Sequence, residues 1–123
     1  MDFDENQAIY LQIADFLCEN ILQKKWLPHE KIPSIRDIAV QVEVNPNTAM
    51  RTFNYLQDRG IIYNKRGIGY FVSDDGYEKT LELKREEFIK HDLPQVFRTM
   101  ELVLVDFDEL KSLFQAYKAK TKN

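Results

Sequence analysis

The stretch from Pro33 to Val72 most narrows what this chain can fold into. It reads PSIRDIAVQVEVNPNTAMRTFNYLQDRGIIYNKRGIGYFV. The Ser34 hydroxyl can cap a short helix, with Asp37 three residues on as a capping-box variant. Ile35, Ile38, Ala39 and Val42 would form the buried stripe of that helix. Glu43-Val44 makes a turn. Asn45 is a strong N-cap, and Pro46 fits the first helical position, where no amide hydrogen is needed. In the second helix Ala49, Phe53 and Leu56 face inward, while Asn47, Thr48, Arg51, Tyr55 and Asp58 lie elsewhere. Gly60 suits its end. Ile61-Ile62-Tyr63 and Tyr70-Phe71-Val72 are β-branched and aromatic, and they bracket a Lys65-Arg66-Gly67 turn, so a hairpin follows. Two short helices followed at once by a basic-tipped strand pair read as a winged helix-turn-helix. That arrangement points to DNA binding rather than catalysis.

The remainder reads as helix. Residues 6 to 24 place Ile9, Ile13, Phe16, Leu17, Ile21 and Leu22 at amphipathic spacing, with Lys24 and Lys25 in the last turn beside the negative end of the helix dipole. Trp26 to Pro33 is a connector with two prolines. Asp74-Asp75-Gly76 marks a break. Residues 77 to 91 form a charged helix, and Asp92 caps the last one. In that last helix Leu93, Val96, Met100, Val103, Phe107, Leu110, Phe114 and Tyr117 recur at alternating intervals of three and four, an a/d heptad seam. The fold class is therefore mostly α with a small β-hairpin: a DNA-binding domain over residues 1–74, then two C-terminal helices over residues 75–123 that form a dimerisation region.

The 123 residues amount to about one domain, with a 44% hydrophobic share that is ordinary for a globular chain. No apolar run approaches the roughly 18 residues that span a membrane. The acidic start MDFDENQ carries no apolar signal segment, and the single Cys18 cannot close an internal disulfide; both fit a cytoplasmic protein. Cys18 reads as a small buried hydrophobe. The net charge of −3 speaks against nucleic acid until its distribution is seen. Residues 31 to 73 hold six basic side chains (Lys31, Arg36, Arg51, Arg59, Lys65, Arg66) against three acidic ones. Local potential at the contact face, not global charge, draws phosphate.

The stretch from Ile9 to Val72 resembles the DNA-binding domain of the GntR family of bacterial transcription regulators. The matching residues are Ile9-Tyr10-Leu11-Gln12-Ile13, Pro33-Ser34-Ile35-Arg36, Val44-Asn45-Pro46-Asn47-Thr48 and Arg66-Gly67-Ile68-Gly69-Tyr70-Phe71-Val72. The Val-Asn-Pro-Asn-Thr run and the short helical tail are similar to the YtrA subfamily, where the tail is thought to dimerise and no large effector domain follows. His29-Glu30 stands where the family commonly has Pro-Gly, and Pro46 where other subfamilies have Arg or Ser.

Several residues become candidate DNA contacts. Arg36 is either a surface arginine or, as the resemblance implies, a phosphate or guanine contact. Asn45 is a cap that can still donate its amide to phosphate. Asn47 and Thr48 lie at the start of the second helix, where recognition helices read base edges, and Arg51, one turn later on the same face, suits phosphate or a guanine edge. Lys65, Arg66 and Gly67 form either a solvated tip or a wing against DNA, with Gly67 and Gly69 allowing close approach. Tyr63 and Tyr70 suit sheet packing, and Arg59 suits the helix end. Leu93, Val96, Met100, Val103, Phe107, Leu110 and Phe114 suit dimerisation rather than a ligand pocket. His29 and His91 have no companions at metal-ligand spacing, so no metal or cofactor is expected, and no catalytic motif occurs. The reading is a homodimeric regulator, a repressor by preference, on a two-fold site of double-stranded DNA. The alternative is a winged-helix module for protein contact within a larger complex. The effector stays open.

Overall fold

The structure, a computed structural model, describes residues 1–122. It contains helices α1 (Ile9–Leu22), α2 (Ile35–Val42) and α3 (Pro46–Asp58), strands β1 (Ile62–Lys65) and β2 (Gly69–Val72), and helices α4 (Gly76–Glu87), α5 (Leu93–Val103) and α6 (Phe107–Thr121). A π-helical turn, Phe88–Asp92, separates α4 from α5. The chain divides into two compact units, Met1–Leu83 and Lys84–Asn123.

The first unit is the winged helix-turn-helix. Ser34 accepts from the Asp37 amide at 3.0 Å while Asp37 accepts from the Ser34 amide at 3.3 Å, so the expected capping box is present. Asn45 Oδ1 accepts from the Asn47 amide at 2.8 Å, with Pro46 in the first turn. Gly60, with φ of 73°, takes the left-handed position just past α3. One core joins Ile13, Leu17, Cys18 and Ile21 of α1, Ile38 and Val42 of α2, Phe53 and Leu56 of α3, and Ile61, Ile62 and Val72 around the hairpin. Cys18 is buried there, as its apolar neighbours suggested.

Helix α1 is shorter than residues 6 to 24. The side chain of Gln12 explains its start: it accepts from the Asp4 amide at 2.7 Å and donates to the Gln7 carbonyl at 2.8 Å, folding the N-terminal arm back over the first turn. At the other end Lys24 adopts φ of 60° beyond the helix, so Lys24 and Lys25 are not in its last turn.

The connector is more than a link. The Ile32 amide donates to the Tyr70 carbonyl at 2.9 Å, and the Val72 amide to the Glu30 carbonyl at 3.1 Å. Lys31 thus bridges antiparallel to Phe71 and covers the open edge of β2. The left-handed residue of the preceding turn is His29, φ 65°. Pro28-His29, one residue earlier than the expected pair, therefore occupies the site suited to Pro-Gly.

The first unit also runs past the break at Asp74-Asp75-Gly76. Tyr77 and Leu83 pack on its core, and Thr80 is fully buried with its hydroxyl donating to the Gly76 carbonyl. A Cβ on Gly76 would stand 2.7 Å from the Ile61 carbonyl oxygen, so α4 approaches the hairpin only because a glycine sits there.

The second unit corrects the sequence in two places. Asp92 caps nothing: it has helical dihedrals and accepts no capping hydrogen bond, because the π turn leads straight into α5. The single long seam helix is instead two helices. Leu104 is left-handed, φ 61°, and Asp106 starts α6 by accepting from the Glu109 amide at 2.9 Å. None of the described residues of this unit is buried. Near its start Lys84 pairs with Glu87 and Lys90 with Glu86, where the Lys90 ammonium, 2.6 Å away, holds the exposed Glu86 carboxyl below the usual carboxylate range.

Candidate nucleic-acid interface

Helix α3 rests on α1 and α2 through Ala49, Thr52, Phe53 and Leu56, all buried. The same 3.6-residue period that buries those four turns Asn47, Arg51, Asn54 and Asp58 out to solvent. At the helix start, side-chain capping uses only Asn45 Oδ1, and the Asn45 side-chain NH2 makes no hydrogen bond among the described residues. Asn47 is exposed, and Thr48 is half-buried. The positive end of the helix dipole adds to the attraction for an anion at this end.

Arg51 is exposed yet not loose. Its guanidinium lies 4.0 Å from the centroid of the Tyr10 ring. It makes no ion pair among the described residues. Tyr10 meets Tyr55 edge-on at 6.0 Å, and Arg59 covers Tyr55 at 3.9 Å. Arg59 is therefore held by an aromatic ring as well as by its place near the helix end. Arg36 is exposed in the first turn of α2.

The hairpin places its cations differently. Lys65 pairs with Gly69 at the turn end of the ladder, and its ammonium folds back to 4.9 Å from the Phe71 centroid. The tip is Arg66-Gly67-Ile68, closed by the Ile68 amide donating to the Lys65 carbonyl at 2.9 Å. Gly67, φ 79°, has open space around it. Tyr63 stacks on Phe71 at 5.6 Å and Tyr70 meets Phe53 at 4.8 Å, so both tyrosines pack within the sheet and core.

Two contacts at this surface have no signal in the sequence. Tyr10 holds Arg51 from 41 positions away, and no local pattern signals such a pair. Lys31 lies along Gly69, where a Cβ would be 2.9 Å from its Cε. Its place follows only from the connector's pairing with β2. All eight candidate DNA contacts lie in the first unit, and all seven dimerisation candidates lie in the second. Among the described residues no three His, Cys, Asp or Glu side chains are grouped to hold a metal, and no helix is long and apolar enough to cross a membrane.

Replacing Lys65 and Arg66 together by alanine should weaken binding to all duplex sequences alike. Each lost phosphate contact should lower the slope of log affinity against log salt by about 1. An unchanged slope would free the hairpin from the DNA backbone.

A three-helix core whose third helix presents a capped, polar N-terminus, followed by a basic hairpin, is the reading head of a winged helix-turn-helix transcription regulator. Residues 9–72 match the family described as bacterial regulatory proteins, gntR family, and the chain belongs to it. The HTH-type transcriptional repressor YtrA of Bacillus subtilis is 30% identical over 99% of this chain and 93% of its own length. The HTH-type transcriptional regulator YhcF of Bacillus subtilis is 42% identical over 58% of this chain and 60% of its own length. A crystal structure of a GntR-family regulator from Bacteroides thetaiotaomicron is 37% identical, with a TM-score of 0.74 over 93% of this chain and 99% of that one. The chain is thus similar to YtrA over nearly its whole length and is a non-enzymatic, DNA-binding transcription regulator.

Proposed function

We propose that two copies of this chain bind a two-fold operator and repress transcription from it, in the cytoplasm, where the bacterial chromosome lies. The observation that carries the pairing is the second unit, which buries none of its described residues although its helices are amphipathic. Val96, Met100 and Val103 of α5 and Leu110 and Leu113 of α6 line one open hollow of about 580 Å³. Phe107 and Phe114 are 69% and 57% exposed. Apolar surface of this extent in a monomer marks an interface. The break at Leu104 alters the geometry of the seam but not its composition, and Leu93 remains half-buried on α5. The repressor named YtrA supports repression as the sign of regulation.

In this reading Asn47, Thr48 and Arg51 meet base edges in the major groove. Arg36, Asn45 and the wing residues Lys65, Arg66 and Gly67 meet the sugar-phosphate backbone. Phosphate contacts supply affinity, and base contacts supply discrimination. Arg51→Ala should cost about 1–3 kcal/mol of specific affinity and relax preference at one base position if the arginine is bidentate to guanine. Titration of the variant against a selected operator and its single-base mutants checks this; undiminished affinity removes Arg51 from the contact set.

The pairing is tested by selecting binders from a random duplex pool. Inverted half-sites about one helical turn apart, roughly 10 base pairs, are expected. An unrepeated half-site as the whole selected motif would contradict it.

A further inference from the structure

We propose that Tyr10 is a positioning residue for DNA recognition: its ring holds the Arg51 guanidinium in place on the outer face of α3 before DNA arrives. This rests on α3 being the helix that enters the groove. Tyr10 belongs to the first turn of α1, outside the helix-turn-helix and the wing. Two contacts fix it to α3. The Thr52 hydroxyl donates to the Tyr10 carbonyl at 2.7 Å, and the Tyr55 ring meets the Tyr10 ring at 74°. Thr52 is fully buried, so this anchor is part of the core. The ring is thereby pinned to the same helix that carries Arg51, and it offers its π face 4.0 Å from the guanidinium carbon.

The stack suits recognition because of where a guanidinium does its chemistry. Its flat faces meet aromatic rings, while its five N–H donors point outward in the plane. Contact with Tyr10 therefore leaves the donor edge available to a guanine edge or a phosphate. An arginine free in solvent must give up rotamer freedom when it binds, and one already resting on a ring gives up less. Arg51 and Tyr55 of α3 and Arg59, the residue just past its end, follow one another at four-residue intervals, so the arrangement runs on from Arg51 to the end of the helix.

The test is a double-mutant cycle on one selected operator: wild type, Tyr10→Leu, Arg51→Ala and the double variant, with Tyr10→Phe alongside. Affinities are read by fluorescence anisotropy, well below each variant's melting temperature. Tyr10→Leu should bind about two- to fivefold more weakly, the range of an exposed cation–π contact. Tyr10→Phe keeps the ring and should bind as wild type. The double variant should bind no more weakly than Arg51→Ala alone, because Tyr10 acts through Arg51. An equal loss from Tyr10→Leu in the Arg51→Ala background would overturn the proposal, since the ring would then serve the fold or touch DNA itself. Wild-type binding by Tyr10→Leu would overturn it too. If Arg51→Ala alone binds as wild type, the contact reading of Arg51 fails first and takes this proposal with it. NMR gives a check that needs no variant: the Arg51 δ-methylene protons of the free protein should be shifted by the ring current, and random-coil values would overturn the proposal.

Discussion

Replacing Phe107 by alanine should split the proposed dimer and remove tight operator binding, while the winged helix stays folded. Phe107 opens α6 and is 69% exposed within its own chain, so its loss should cost that chain little. Buried across a two-fold interface, the same ring is worth about 3–5 kcal/mol on truncation to alanine. The two-fold axis repeats the loss, because an isologous interface uses the same patch twice. At about 1.4 kcal/mol per decade the dimer constant should weaken by at least a hundredfold. Operator affinity should fall with it, since a single reading head engages only one half-site. Sedimentation velocity over a concentration series reads the first effect, and a mobility shift on the full operator reads the second. A variant that stays dimeric and binds as before would move the interface elsewhere on the chain.

Phe53→Ala should have the larger effect on folding. Phe53 is fully buried in α3 and meets Tyr70 of β2 edge-on at 4.8 Å, so one ring ties the recognition helix to the wing. The cavity left by truncation should cost about 3–5 kcal/mol. A small domain has only about 5–15 kcal/mol in hand, so the variant should melt far below wild type and lose DNA binding near that temperature. Thermal unfolding followed by far-ultraviolet circular dichroism measures it. A melting temperature within a few degrees of wild type would show that the helix and the wing do not depend on this contact.

The first unit was legible in the sequence because its decisive signals are local. Ser34 with Asp37, and Asn45 with Pro46, are capping patterns that depend on residues within three positions of each other. The core stripes of α2 and α3 follow from helical period alone. The hairpin follows from β-branched and aromatic runs around a glycine-bearing turn. What the sequence does not signal is non-local or overrides the pattern. The pairing of Glu30 and Ile32 with β2 lies in a segment bounded by Pro28 and Pro33, which reads as loop because its partner is about 40 positions away. The hold of Tyr10 on Arg51 is likewise long-range.

The tail shows how one strong pattern can hide a weaker one. Intervals of three and four run from Leu93 to Tyr117 without interruption, so the heptad reading carries straight through Leu104. Yet Asp106-Phe107-Asp108-Glu109 has a capping aspartate followed by acidic residues in a first turn, which is the signature of a new helix. Val103 and Val105, β-branched on either side of Leu104, weaken the helix there. Asp92 made the opposite error: a good capping residue by type, it lies where the chain is already helical and caps nothing.

Two reading heads joined through the C-terminal helices remain the centre of the functional proposal. Sedimentation equilibrium of the unaltered protein at micromolar concentration tests this most directly, first alone and then with a selected operator duplex. A particle of twice the 14.6 kDa chain mass is the expected result, binding one duplex with two chains. A particle of one chain mass that binds an isolated half-site as tightly as the full inverted repeat would contradict it.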